Sequence, residues 1–349
     1  MTAILAVAAR HLNILNPASR HYSDAALFLL SKSCSQFRAD LDRAITVENR
    51  DTRLGTSILL HYLSWSDVEF LDSSQAGGAG DAQQPLDLSH DQLFLLSGGV
   101  RHVRFLSWQL PGIESSIFGR LIASRNCGLL RSMLENRGRG YHAMRERLEK
   151  LYDDPRFRGG IATPPPEEQR EGDGSGHGHL SKLTAAIFAP CQQTCTFEHL
   201  SNVFRLWIPD GHGQTPADRP LYSRLSFEVA VDRLTLLLYA SRLHEPDDSA
   251  LGEVRDDVER VILSFPLLCF GPFYELVAAG DSRALAVLYL VYRSAGTLLR
   301  GPGCPWWAER RVVVMERALR GELGRRGLLA AVEDVAAKAV EDMEMGATD

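Results

Sequence analysis

The segment ALAVLYLVY, residues 284–292, is the longest uninterrupted apolar run in the chain. It is about half as long as the roughly 20 residues that a transmembrane helix needs, so no membrane span is predicted. An apolar run of this length instead predicts a helix that is buried on all sides. Asp281 stands where an N-cap belongs, and the predicted helix runs from Arg283 to Leu299.

Helical periodicity extends outward from this segment over most of the sequence. A predicted helix from Asp51 to Phe70, for example, carries its apolar residues on one face, at Leu54, Ile58, Tyr62, Trp65 and Val68. No stretch alternates between apolar and polar residues as a half-buried strand would. The sequence therefore predicts an all-α fold in the form of a multi-helix bundle.

Two stretches interrupt the helical pattern. Residues 72–88 are rich in Gly, Ala, Gln and Asp and predict a surface loop, with Ser89 and Gln92 in capping-box register at the start of the next helix. Residues 153–181 combine prolines, glycines and charged residues, and this composition predicts a disordered insertion. The insertion divides one helical domain into an N-terminal half, residues 1–152, and a C-terminal half, residues 182–349.

Composition limits the function classes. The 349 residues are 45% hydrophobic with a formal net charge of −6, which argues against a chain that clamps nucleic acid by charge alone. The six cysteines are scattered and predict free thiols in a reducing compartment. Cys191 and Cys195 lie near His199, but their spacing is not that of a zinc site, so no metal site is predicted.

The most enzyme-like feature is the acidic cluster of Asp256, Asp257 and Glu259. Adjacent acids on a helix can hold magnesium against a diphosphate, as in all-α terpene cyclases. We find no second metal-binding helix of the kind those enzymes need. An exposed acidic face paired with Arg255 and Arg260 is the favoured interpretation, and the chain is predicted not to be an enzyme.

Five segments, in order along the chain, resemble the regulatory region of fungal binuclear-zinc-cluster transcription factors of the sterol-uptake-control type. They are LAVAARHL at 5–12, LLHYLSW at 59–65, DQLFLLSGGVR at 91–101, DSRAL at 281–285, and Trp306-Trp307 followed by Arg310-Arg311. The resemblance implies a helical domain that controls genes transcribed by RNA polymerase II, in sterol or secondary metabolism. It also implies a homo- or heterodimer in the nucleus, with the cytoplasm as the alternative.

The resemblance further implies a small hydrophobic, sterol-like ligand in a pocket between helices. The predicted lining residues are aromatic, namely Phe270, Phe273, Tyr274, Tyr289, Tyr292, Trp306 and Trp307. The family's six-cysteine cluster, which holds two zinc ions, has no counterpart here, so no cofactor is expected in this chain. DNA contact is expected only through a partner or a missing N-terminal domain. The alternatives are the magnesium-dependent enzyme and a stand-alone lipid-binding module.

Overall fold

A computed structural model describes residues 1–71, 85–119, 130, 132–133, 139–158, 219–242, 249–269, 272–299 and 304–345. Within these ranges the regular structure is helical and no residue lies in a β-strand, so the all-α prediction is confirmed. Several predictions fall outside the described ranges. They concern most of the 153–181 insertion, the metal-like residues Cys191, Cys195 and His199, and the predicted aromatic Phe270.

The helices are named in chain order. They are α1 (Thr2–Leu15), α2 (Arg20–Leu41), α3 (Val47–Trp65), α4 (Gln92–Trp108), α5 (Arg139–Glu149), α6 (Pro155–Arg158), α7 (Arg219–Arg242), α8 (Ser249–Leu268), α9 (Pro272–Ala278), α10 (Ser282–Leu298), α11 (Trp306–Arg325) and α12 (Leu329–Met345). Short 3-10 turns at Ile113–Ser115 and Lys150–Tyr152 complete the described regular structure.

Helix α10 is the centre of the fold. It packs against α6, α7, α8, α9 and α11, and its side chains from Ala284 to Tyr292 are all buried. Asp281 caps the helix, since its Oδ1 accepts a hydrogen bond of 2.8 Å from the backbone nitrogen of Arg283. The predicted buried helix is therefore confirmed. Each of its two bounds lies one residue earlier than predicted.

One large buried cluster unites both halves of the chain. It includes Trp65, Phe94 and Tyr141 from the N-terminal half, and Phe227 and Tyr289 from the C-terminal half. The helix pairs α5–α7, α5–α12 and α4–α8 pack the N-terminal half against the C-terminal half. The two halves thus form a single core in the part of the chain that the structure describes.

The boundaries of several elements differ from the sequence prediction. Residues 153–158, assigned above to the insertion, include α6, and Phe157 of this helix is buried in the core. Helix α4 begins after Asp91 rather than after Ser89, because the Asp91 carboxylate accepts the backbone N–H of Leu93 at 2.9 Å. Pro266 does not end α8, which continues to Leu268.

Helix α1 forms a hairpin with α2, and the hairpin packs on α3. Its small side chains face inward, and Ala6 joins Leu60 and Leu63 of α3 in a separate buried cluster. Arg10 fixes the hairpin to the end of α3 by donating to the carbonyl oxygen of Ser66 at 2.8 Å. The opposite side of α1 has no neighbour among the described helices and is exposed.

Replacing Gly321 by alanine is expected to raise the free energy of unfolding by about 0.5–1 kcal/mol. Gly321 lies exposed inside α11, and an added Cβ would meet no atom within 4 Å. Alanine favours the helix by about this amount because it loses less backbone entropy. Urea titration at pH 7 measures the change.

The matched control for this prediction is Gly140→Ala in α5. There an added Cβ would collide with the backbone carbonyl of Met343 in α12, so destabilisation is expected. A destabilised Gly321→Ala variant would show that the α11 surface is covered in the intact protein.

Candidate functional site

Arg311 of α11 is the most unusual side chain in the core, because an arginine lies where the helix otherwise buries apolar residues such as Trp307 and Met315. Its guanidinium binds the Asp91 carboxylate with two parallel hydrogen bonds, Nη1 to Oδ2 at 2.7 Å and Nη2 to Oδ1 at 2.8 Å. Both side chains are fully buried. Bidentate, charge-assisted pairs of this kind are among the strongest hydrogen bonds in proteins.

The remaining contacts of Arg311 bind the C-terminal end of α3. Nε donates to the carbonyl oxygen of Trp65 at 3.1 Å, and Nη2 donates to those of Ser64 at 3.2 Å and Asp67 at 2.7 Å. The last carbonyls of a helix lack partners within the helix, so a buried cation is well placed there. Because Asp91 caps α4, one ion pair joins α3, α4 and α11.

The electrostatics of the site keep the Arg311 guanidinium charged. Burial alone would lower the pKa of Arg311, but the Asp91 carboxylate and the nearby Tyr292 hydroxyl outweigh burial and raise it. Burial also raises the pKa of Tyr292, so its phenol stays neutral. The centre therefore holds a fixed ion pair next to a neutral hydroxyl, an arrangement suited to positioning helices.

Aromatic rings enclose the ion pair. Trp65 meets Trp307 edge-on at 5.2 Å between ring centroids, and it meets Tyr292 edge-on at 6.3 Å. We call Trp65, Asp91, Tyr292, Trp307 and Arg311 the helix junction. Edge-to-face contacts of this kind stabilise a packed core beyond the area they bury.

Helix α1 reaches the edge of the helix junction. His11 of α1 stacks on Trp306 of α11 with ring centroids 5.0 Å apart. The neighbouring residue Trp307 also meets Tyr62 of α3 edge-on at 5.6 Å. The start of α11 thus contacts both α1 and α3.

A second set of contacts anchors the end of α8 to the same helices. The carbonyl oxygen of Leu263 accepts hydrogen bonds from His61 Nε2 at 2.9 Å and Trp65 Nε1 at 3.2 Å. Arg101 of α4 donates to the carbonyl oxygen of Leu267 at 2.8 Å. Pro266 has no N–H, and a proline inside a helix disturbs the hydrogen bonds of the preceding turn. Side chains from α3 and α4 thus bind backbone carbonyls on either side of Pro266.

The predicted ligand-lining aromatics lie in several different surroundings. Tyr292 and Trp307 belong to the helix junction, and Trp306 stacks on His11. Phe273 packs near Phe227, with centroids 6.3 Å apart.

The two remaining described tyrosines make hydrogen bonds elsewhere. Tyr274 donates to the carbonyl oxygen of Ser89 at 2.9 Å, and the Tyr289 hydroxyl donates to Glu333 at 2.8 Å. The six described aromatics therefore fill the core in separate places and do not surround one cavity.

A cavity of about 190 Å³ lies between the end of α10 and the start of α11. Its lining consists of Gly296, Leu299, Cys304, Glu309, Val312, Val313 and Glu316. None of the predicted aromatics lines it. Its volume lies below the roughly 300–1,000 Å³ of typical ligand pockets.

The acidic cluster on α8 does not converge on one point. Asp256 is exposed, Glu259 pairs with Arg255 at 3.3 Å, and the buried Asp257 accepts the backbone N–H of Leu130 at 3.1 Å. Asp256 faces solvent, whereas Asp257 is bound to the Leu130 backbone in the interior, so these two carboxylates do not face the same cavity. No group of three metal-binding side chains occurs among the residues described.

The described cysteines are free thiols in partly or fully buried positions. Cys34, Cys269 and Cys304 each have a raised pKa, chiefly because burial disfavours the thiolate. A protonated thiol is a poor nucleophile and a poor metal ligand. These three cysteines therefore give no sign of a reactive site.

Sequence reasoning missed the helix junction, although two signals pointed to it. Asp91 directly precedes an apolar run, which is the position of an N-cap. Arg311 lies four residues after Trp307 and four before Met315, which places it on the buried face of α11. Neither signal identifies the partner, because 220 residues separate the two.

None of the described helices is long and apolar enough to cross a membrane. Comparisons of the chain with protein-family models, curated proteins and solved structures found no match.

Proposed function

We propose that this chain is the helical regulatory domain of a transcription regulator related to the fungal binuclear-zinc-cluster factors. It works by contacts between proteins, and any DNA contact is made by a partner or by an N-terminal domain outside this sequence. The proposal assigns the protein to the nucleus and to the control of genes transcribed by RNA polymerase II.

The observation that supports the proposal most is where the family-like segments meet. Segment 5–12 contacts segment 306–311 through the His11–Trp306 stack. Segment 59–65 contacts it through Trp65 and Trp307, and segment 91–101 contacts it through the ion pair. Segment 281–285 begins α10, which supplies Tyr292. Four of the five family-like segments therefore meet at one contact centre, and this meeting is what supports the proposal.

The geometry gives less support to the two alternatives. A magnesium-dependent enzyme needs acids that face one cavity, and Asp256, Asp257 and Glu259 have three different surroundings. A stand-alone lipid-binding module needs a cavity of lipid size, and the 190 Å³ space among the residues that the structure describes is smaller than that. The sterol-like ligand stays a prediction, and the proposal does not depend on it.

A fusion of the full chain to an unrelated DNA-binding domain tests the proposal in a fungal reporter strain. The fusion is expected to change reporter transcription several-fold relative to the DNA-binding domain alone. Arg311→Met, which breaks the buried pair, is expected to abolish the change. The exposed substitution Arg242→Met is the matched control and is expected to preserve it. A fusion that reaches the nucleus at normal levels and leaves the reporter unchanged contradicts the proposal.

A further inference from the structure

One side of α1 is apolar and exposed along its whole length. Its large residues retain much of their accessible surface, namely Met1 (88%), Ile4 (55%), Leu5 (48%), Leu12 (43%) and Leu15 (68%). Ala8, also exposed, lies between them. At about 100° per residue, all six fall within an arc of about 100°. We call these six residues the α1 face.

The side chains of the α1 face carry no charge. Arg10 is turned toward α3, where it donates to Ser66, and His11 is stacked on Trp306. The inward side of the helix is occupied by Ala3, Ala6 and Ala9. Two such faces therefore bring no like-charged side chains together when they meet.

Apart from Leu5, whose counterpart is His11, the residues on the face are arranged symmetrically about Ala8. Ile4 and Leu12 lie four residues before and after it, and Met1 and Leu15 lie seven before and after it. When two copies of α1 run antiparallel, Ala8 faces Ala8, Ile4 faces Leu12, and Met1 faces Leu15. A small residue at the crossing point lets the helices approach closely, and large residues then pack on both sides. This is the self-complementarity that a two-fold interface requires.

The exposed apolar area of the α1 face is close to the area that a dimer interface needs. The five large side chains expose on the order of 500 Å² per copy, so pairing would bury at most about 1,000 Å² in total, near the minimum for a specific interface. Leu27 and Phe28, exposed on the adjoining α2 at 56% and 65%, add further apolar surface on this hairpin. Exposed apolar patches of this size commonly mark interaction sites.

We propose that the α1 face is a homodimer interface in which the α1 helices of two copies pair antiparallel about Ala8. The occupant of the face is a second copy of this chain. The interface does not depend on the proposed role in transcription, and dimerisation is measured on the purified full chain without any reporter.

Sedimentation velocity over a range of micromolar concentrations tests the interface. The wild type is expected to show twice the chain mass, and Ala8→Glu is expected to raise the dissociation constant at least about a hundredfold, since it opposes like charges. Ala330→Glu changes an exposed alanine in the first turn of α12 and is the matched control. Circular dichroism checks that both variants keep their helices. A wild type that stays monomeric, or an Ala8→Glu variant that still dimerises, overturns the proposal.

Mixing two single variants tests the direction of the helices. Ile4→Glu and Leu12→Arg are each expected to dimerise weakly alone. An equimolar mixture is expected to form a heterodimer, because antiparallel pairing places the new carboxylate at position 4 of one copy against the new guanidinium at position 12 of the other. Parallel pairing places position 4 against position 4 and forms no such ion pair. A mixture that stays monomeric, or a heterodimer that added salt does not weaken, therefore contradicts the antiparallel arrangement.

Discussion

Arg311→Met is expected to lower the free energy of unfolding by about 3–5 kcal/mol, because it leaves the Asp91 carboxylate buried without its counter-ion. Both side chains are completely shielded from solvent, so water cannot replace the guanidinium. The substitution also removes the donors that bind the carbonyl oxygens of Ser64, Trp65 and Asp67 at the end of α3. Urea titration at pH 7 measures the loss.

A double variant separates the ion pair from the other contacts of Arg311. Asp91→Asn removes the buried charge and retains an amide oxygen that can still cap α4. The double variant Asp91→Asn/Arg311→Met is therefore expected to be more stable than the two single changes would predict by addition. The coupling free energy from this cycle reports the pair itself.

The control uses an exposed pair. Arg242 binds Glu344 where both side chains are about half exposed, so Arg242→Met is expected to cost less than about 1 kcal/mol. An Arg311→Met loss equal to that of Arg242→Met would show that the buried pair does not hold the three helices together. If the free-energy changes of Asp91→Asn and Arg311→Met simply add in the double variant, the conclusion is the same, because the pair then has no coupling free energy.

Local signals in the sequence were sufficient to predict the fold class and its central helix. The apolar run at 284–292 and the cap at Asp281 lie within a dozen residues of each other, and both were identified correctly. The all-α assignment relied on the same short-range periodicity. Features that depend on the residues of a single helix can therefore be predicted from the sequence of this chain alone.

Contacts between distant segments could not be predicted in this way. His61 binds a carbonyl 202 residues away, and Arg311 binds Asp91 across 220 residues. The aromatic residues were selected by type, but a ring that fills a core and one that lines a pocket have the same sequence pattern. The structure distinguishes them by showing what each ring touches.

The exposed face of α1 also escaped prediction, for a different reason. Its apolar residues recur at the spacing of a helix that packs inward, and the alanines at positions 3, 6 and 9 recur at that spacing as well. The sequence alone does not say which of the two faces is buried. The small side chains proved to be the inner ones, because the hairpin with α2 and α3 is tightly packed.

The second large effect on stability is expected when the pH is lowered, and it depends on His61. This side chain is fully buried, and burial lowers its pKa to about 4, with a smaller contribution from the charge of Arg311. Nε2 donates to the carbonyl oxygen of Leu263, and the ring is neutral at pH 7 because its pKa is about 4. Nδ1 contacts no hydrogen-bond partner among the residues described. Protonation in the folded state would place a second positive charge near Arg311.

The pKa values of His61 in the unfolded and folded states decide whether acid raises or lowers stability. Between pH 6.5 and about 4 the unfolded histidine binds a proton that the folded one does not, so acid favours unfolding. At about 1.4 kcal/mol per pKa unit, His61 is expected to account for a loss of about 2–3 kcal/mol between pH 7 and 4.5. Above pH 7 its contribution is constant, and below pH 4 no further loss arises from this residue.

His61→Gln isolates this contribution, because glutamine keeps a donor for the Leu263 carbonyl and does not titrate. Urea titrations at pH 7 and pH 4.5 are expected to show a loss on acidification that is about 2–3 kcal/mol smaller than in the wild type. His21→Gln, at an exposed position of α2, is the matched control and is expected to retain the full wild-type loss. Carboxylates elsewhere in the chain contribute equally to all three proteins. Equal losses in the wild type and His61→Gln would therefore mean that the buried imidazole takes up its proton in the folded state, and that the ends of α3 and α8 separate enough to admit water.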